Sequence, residues 1–205
     1  MHALAMVMAM ALAAGGDSAP DEEVFFEANF TDEDEWDEDW TWLREDPEDW
    51  RLSAGGLEIR ARPGNADTVR NALLRPVPDV EGPLAFEVTI TFTRPPTEQY
   101  EQAGLTWYHE GEPDFKIVHE LVDDEIVIVP GFRHTEKDTV ELRLVLEDDG
   151  SYKAMYREEG QEEFQEVAKG ELPLGDENAI AIVTYHGPEG ADHWMRFTDF
   201  RIVRP

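Results

Sequence analysis

Along Phe86–Phe92, within the strand Leu84–Phe92, polar and apolar side chains alternate without a break. Phe86, Val88, Ile90 and Phe92 fall on one side, and Glu87, Thr89 and Thr91 on the other. A period of two belongs to a half-buried strand, because a helix could not gather those four apolar residues on one face. The same alternation returns in Gln102–His109 and in residues 115–120. Between them, Glu110-Gly111-Glu112-Pro113-Asp114 is built from turn formers, so a hairpin is expected. Shorter runs predict strands at 25–30, 57–61, 71–75, 125–129, 139–146, 152–157, 179–185 and 194–203. The turn at 147–150 ends in Asp149-Gly150 and joins two of these as a second hairpin. No stretch keeps a helical period for more than a turn or two, and no repeat appears. Some dozen strands between Gly, Pro and Asp turns describe a single all-β sandwich of two antiparallel sheets.

Such a sandwich needs a core, and 205 residues with 41% apolar content, six Trp and ten Phe can supply one. The net charge of -30, from 47 acidic and 17 basic residues, repels phosphate backbones and argues against a nucleic-acid partner. With no cysteine, disulfides, thiolate metal sites and cysteine nucleophiles are excluded. Residues 1–14 form an apolar block too short to span a bilayer, followed by Gly15-Gly16-Asp17. It matches the apolar region of a secretory signal, so residues 1–16 read as a signal peptide, 17–24 as an acidic linker and 25–205 as the sandwich. The expected location is secreted or periplasmic, with no stable membrane insertion.

The chemistry on offer is narrow. The sequence holds no G-x-S-x-G elbow, phosphate-binding loop, H-E-x-x-H helix or dinucleotide fingerprint. Glycoside hydrolysis needs two carboxylates flanking the scissile bond. Laminarinase-type β-sandwich glucanases carry theirs as Glu-x-Asp-x-x-Glu; Glu35-Trp36-Asp37 begins that pattern, but Trp40 stands where the second Glu belongs. His186 and His193 are the only close histidine pair. In the acidic, Trp-rich run 31–50, Asp32, Asp34 and Asp37 are the candidate ligands for calcium, although the spacing is not that of an EF-hand. Alternation sets Thr106, Tyr108, Lys116 and Glu120 on one face of the central hairpin, where polar groups beside an aromatic wall suit a sugar. By the same reasoning Arg75 and Arg143 are expected to join them, with His186 and Trp194 walling one end. No catalytic residue is assigned.

Several of these pieces resemble, in this order, the concanavalin A-like domain at the C-terminus of family 43 β-xylosidases and its stand-alone bacterial relatives. They are Phe30 with Trp40-Thr41-Trp42-Leu43-Arg44-Glu45, then Gly56-Leu57-Glu58-Ile59 and Asn71-Ala72-Leu73-Leu74-Arg75. Gln102-Ala103-Gly104-Leu105-Thr106-Trp107-Tyr108, Phe115-Lys116, Val140-Glu141-Leu142-Arg143 and Phe197-Thr198-Asp199-Phe200 complete them. The resemblance implies a jelly-roll sandwich and carbohydrate-related work as a binding or accessory domain. In xylosidases the catalytic propeller precedes this domain. Here only the apparent signal does, so a free-standing sandwich is expected. Its leading function is recognition of an oligo- or polysaccharide on a concave sheet face. The alternatives are a glycoside hydrolase or lyase using carboxylates of that face, and a calcium-supported cell-surface interaction module.

Overall fold

The computed structural model describes residues 23–32, 37–53 and 55–205. The signal reading of residues 1–16, most of the acidic linker, and Asp34 and Glu35 lie outside the described residues. Fifteen strands follow in chain order, and no helix occurs among the described residues. They are β1 (Val24–Ala28), β2 (Thr41–Leu43), β3 (Trp50–Ser53), β4 (Gly56–Arg60), β5 (Ala72–Pro76), β6 (Leu84–Phe92), β7 (Gln102–His109) and β8 (Glu112–Val122). The series continues with β9 (Glu125–Val129), β10 (Arg133–His134), β11 (Thr139–Leu146), β12 (Ser151–Glu158), β13 (Gln165–Glu171), β14 (Asn178–Tyr185) and β15 (Trp194–Val203).

All pairings are antiparallel, and they build the two expected sheets. The eight-stranded sheet runs β13-β12-β11-β6-β15-β4-β3, with β1 added beside β15. The seven-stranded sheet runs β10-β9-β8-β7-β14-β5-β2. Neighbours in the sheets are often distant in sequence, so the sandwich is held together by non-local pairing. Between the sheets, Phe86, Val88, Ile90, Leu142, Leu144 and Phe197 meet Leu105, Trp107, Ile117, Ile180 and Ile182, all buried. Each such side chain contributes roughly 1.5–3 kcal/mol by leaving water. Phe86 and Trp107 cross the gap edge to face at 6.1 Å. At one end Trp40 closes the core against Phe200 and Phe30, with ring centroids 5.1 and 5.6 Å apart.

Two local features differ from expectation and position the site. The β7–β8 turn is only Glu110-Gly111, both at positive φ (51° and 80°), so Pro113 and Asp114 belong to β8 rather than to a loop. That is the geometry of a two-residue hairpin turn, and a bulge at Trp107/Tyr108 absorbs the change of register. The outer face of the seven-stranded sheet, expected to be a concave face open to a ligand, is partly covered by residues 61–71. Val69 and Ala66 pack there on Tyr108, Ala181, Val183 and Tyr185 in a second, small apolar cluster. The covering loop is pinned where the His186 N–H donates to Gly64 O and the Gly187 N–H to Arg62 O, each at 3.0 Å.

Candidate functional site

Beyond the edge of that covering loop, the outer face of the seven-stranded sheet is polar. Register sets Tyr185, Gln102 and Glu120 side by side across β14, β7 and β8, and Thr106 beside Lys116 four residues further along each strand. Gly104 lies between these rows. A Cβ there would come within 2.1 Å of Ile117 O and 2.7 Å of Val118 Cα, so β7 and β8 can approach as they do only over glycine.

Buried polar groups are tolerable only when paired, and these pair with one another. The Gln102 amide donates to Glu120 Oε1 at 2.9 Å and to Tyr100 O at 2.7 Å, while its carbonyl accepts from Lys116 Nζ. Lys116 Nζ stands 4.0 Å from Glu120 Oε2, an ion pair without a hydrogen bond. The Thr106 and Tyr185 hydroxyls share a hydrogen bond of 3.0 Å. Gln102 and Glu120 are almost wholly buried, whereas the Lys116 side chain keeps 37% exposure and the network opens there. Burial raises the Glu120 pKa, against the pull of Lys116 and Gln102. Burial lowers that of Lys116, and the charge of Glu120 only partly restores it. Opposed shifts in one polar cluster are a recognised mark of functional sites.

Two aromatic residues form the rim. Tyr100 is 48% exposed, and its ring meets His186 edge to face at 6.0 Å. Burial, then the neighbouring Lys116 charge, lowers the His186 pKa. Tyr100 and His186 both hold positive φ (71° and 52°), a conformation that β-carbon-bearing residues rarely adopt. Tyr100 did not emerge from the sequence because it lies in a loop, where alternation says nothing of exposure.

The candidate residues separate into three places. Lys116, Glu120 and His186 gather at the site just described. Tyr108 is on the same face, but 1% exposed under the covering loop, its hydroxyl beside that of Tyr185 and its pKa raised by burial. It cannot stack on a ligand. Arg75 is a correction: it shares Leu73's inward parity, lies 3.4 Å over the Phe26 ring, and grips Asp37 through two hydrogen bonds of 2.7 and 2.9 Å. Arg143 and Trp194 are corrections of another kind. Val140, Leu142 and Leu144 do fill the core, but from the eight-stranded sheet, so Arg143 points away on the opposite side of the molecule, 3.0 Å from Glu87. Trp194 is on that side too, its ring 4.0 and 4.7 Å from the Arg51 and Arg60 guanidinium carbons. The pairing of His186 with His193 also dissolves, since His193 Nδ1 bonds Glu101 at 2.7 Å.

Of the calcium candidates, Asp34 lies outside the described residues and Asp37 is held by Arg75. The hydrogen bonds from Arg75 hold the Asp37 carboxyl below its usual range, and among the described residues no three His, Asp or Glu side chains could hold a metal ion. For hydrolysis, the partners of Glu120 are Gln102 and Lys116 rather than the second carboxylate that glycosidase chemistry needs.

No family model matches the chain, and no curated protein does. Solved structures do. A GH43 protein from Bacillus licheniformis superposes with a TM-score of 0.70 at 18% identity, over 86% of this chain and 39% of its own. A xylan β-1,4-xylosidase from Bacillus halodurans C-125 gives 0.63 at 16% identity, over 94% of this chain and 41% of its own. The CBM2 module of the Lactobacillus casei BL23 phage J-1 evolved Dit gives 0.57 at 6% identity, over 90% and 97%. The chain spans about two fifths of those GH43 proteins, and at these identities the likeness is one of fold. The expected concanavalin A-like jelly-roll sandwich is therefore the fold of this chain.

Proposed function

We propose that this chain is an exported, lectin-like accessory protein that recognises a glycan on the outer face of its seven-stranded sheet, at the Lys116–Gln102–Glu120 network. The observation that carries the reading is that network itself. A lysine and a glutamate with opposed pKa shifts are held by a buried amide, with a half-exposed tyrosine ring beside them. Hydroxyl-rich ligands are held by fixed side-chain donors and acceptors next to an aromatic surface. Tyr100 supplies the surface, taking the role expected of Tyr108 or Trp194. The superposable structures, GH43 proteins and a CBM2 module, lend support at the level of fold. The apolar run at residues 1–14 supports export.

A glycan array screened with the full chain, followed by titration of any hit, tests the reading. Tyr100→Ala, which removes the aromatic surface, and Glu120→Gln, which takes away the charge that positions Lys116 and Gln102, should each weaken binding about tenfold or more, while the melting temperature stays within a few degrees. A blank array, or hits that both variants bind as well as wild type, would remove this face from consideration.

A further inference from the structure

The donors and acceptors at the site are distributed unevenly, and the distribution selects a ligand class. Glu120, the one carboxylate of the network, is 4% exposed and turned inward to Gln102. Gln102 is 1% exposed, with its amide hydrogens directed to Glu120 and Tyr100 O and its carbonyl to Lys116. Neither presents an acceptor to a ligand. The outward charge is of the other kind. An ammonium carries three donors and no acceptor, and Lys116 directs one of them to Gln102, with Glu120 too far at 4.0 Å to take a second. His186 beside it, its pKa lowered by burial, has no side-chain hydrogen-bond partner among the described residues, so its ring has one N–H to give; it is half-buried against Tyr100. Its backbone is held at positive φ where its N–H bonds Gly64 O.

A neutral sugar hydroxyl is satisfied by a donor and an acceptor together. A carboxylate accepts only, and bonds from an ionised donor to it are about twice as strong as neutral ones. We infer that the site is built for an acidic saccharide, with a uronate carboxylate on Lys116 Nζ and the His186 ring and the sugar ring against Tyr100. This rests on the glycan reading above and narrows it. The -30 net charge works against such a ligand at long range, so selectivity must come from contacts inside the site. Lys116 and His186 would supply them.

The test is calorimetric titration of the full chain at 0.15 M NaCl, where charges beyond about 8 Å are screened. The probes are xylotetraose, xylotetraose carrying one glucuronic acid branch, and sodium acetate. The branched probe should bind about tenfold more tightly than the plain one, a gap of about 1.4 kcal/mol. Lys116→Met should abolish the gap, the branched probe losing more affinity than the plain one. His186→Ala should narrow it about threefold, a second readout should the lysine variant fold poorly. Equal binding of both oligosaccharides, or a gap that survives Lys116→Met, overturns the acidic preference and leaves the glycan reading standing. Acetate binding as tightly as the branched probe also overturns it, because the site would then hold anions without reading a sugar. If neither oligosaccharide binds, the acidic preference falls, and a blank glycan array then takes the glycan reading with it.

Discussion

His119 takes a core-facing position in β8, across from Ala103, and its ring stacks on Phe92 at 4.2 Å with the planes 10° apart. It is fully buried, and among the described residues neither ring nitrogen has a hydrogen-bond partner. An imidazole so placed folds only in its neutral form, and burial pushes its pKa from 6.5 down to about 3. The direction of the pH effect follows from that shift. Above pH 6.5 both folded and unfolded chains hold the ring neutral, and nothing is lost. As the pH falls below 6.5 the unfolded chain takes up a proton that the folded chain refuses until about pH 3. Stability should then fall by up to about 1.4 kcal/mol per pH unit from this group alone. His119→Phe keeps a ring against Phe92 and removes the orphaned nitrogens. Urea unfolding at pH 7.5 and pH 5 should show the wild type losing roughly 2 kcal/mol more than the variant between the two. Equal losses would mean that the ring finds a proton partner in the fold.

The β7–β8 hairpin holds two glycines that are present for different reasons, and substitution can separate them. Gly111 is in the turn at φ 80°, with open space where a Cβ would go. Gly111→Ala should therefore cost only the left-handed backbone penalty, about 1–2 kcal/mol. Gly104 is in mid-strand, where a Cβ would meet the backbone of β8. Gly104→Ala must push the strands apart beneath the Gln102–Lys116 network and should cost about 3 kcal/mol or more. Thermal unfolding gives the order, and equal losses would refute the distinction. The hairpin also marks how far the sequence can be read. Its strands were legible because one face is buried, so a period of two must appear in the residues. Alternation gives parity within a strand but not the sheet to which the strand belongs. Arg143 was assigned to the Lys116 face on correct parity, yet β11 pairs with β6 and β12, a non-local choice that moves it to the far side. Arg75 failed for a different reason. Both faces of β5 are covered, by the core and by the loop at 61–71, and nothing in Ala72-Leu73-Leu74-Arg75 tells the inner from the outer. Tyr100 and His186 belong to loops, where neither rule applies.

Over the whole molecule, 17 basic residues face 47 acidic ones, and many of the few cations are committed to buried acids. Asp49 is held by Arg60 and Arg62, Glu58 by Arg51 and Arg196, and Glu87 by Arg143 and Arg201. These carboxylates are nearly inaccessible, and for Glu58 the hydrogen bonds from Arg196 and Arg51 overcome the upward push of burial to leave its pKa lowered. Exposed carboxylates are left with few counter-charges, so the folded chain repels itself more than the expanded one does. Salt screens charges at the surface far more than it weakens buried pairs. Raising NaCl from 0.01 to 0.15 M shortens the screening length from about 30 to about 8 Å, which should relieve the repulsion while sparing the arginine clamps. The melting temperature should therefore rise by several degrees over that range, by the same amount in KCl, and little further at 0.5 M. A fall would mean that exposed ion pairs, rather than repulsion, dominate the surface. If calcium chloride at matched ionic strength raised the melting point well beyond the sodium salt, a specific cation site would be implied. Asp37 could join such a site only by releasing Arg75.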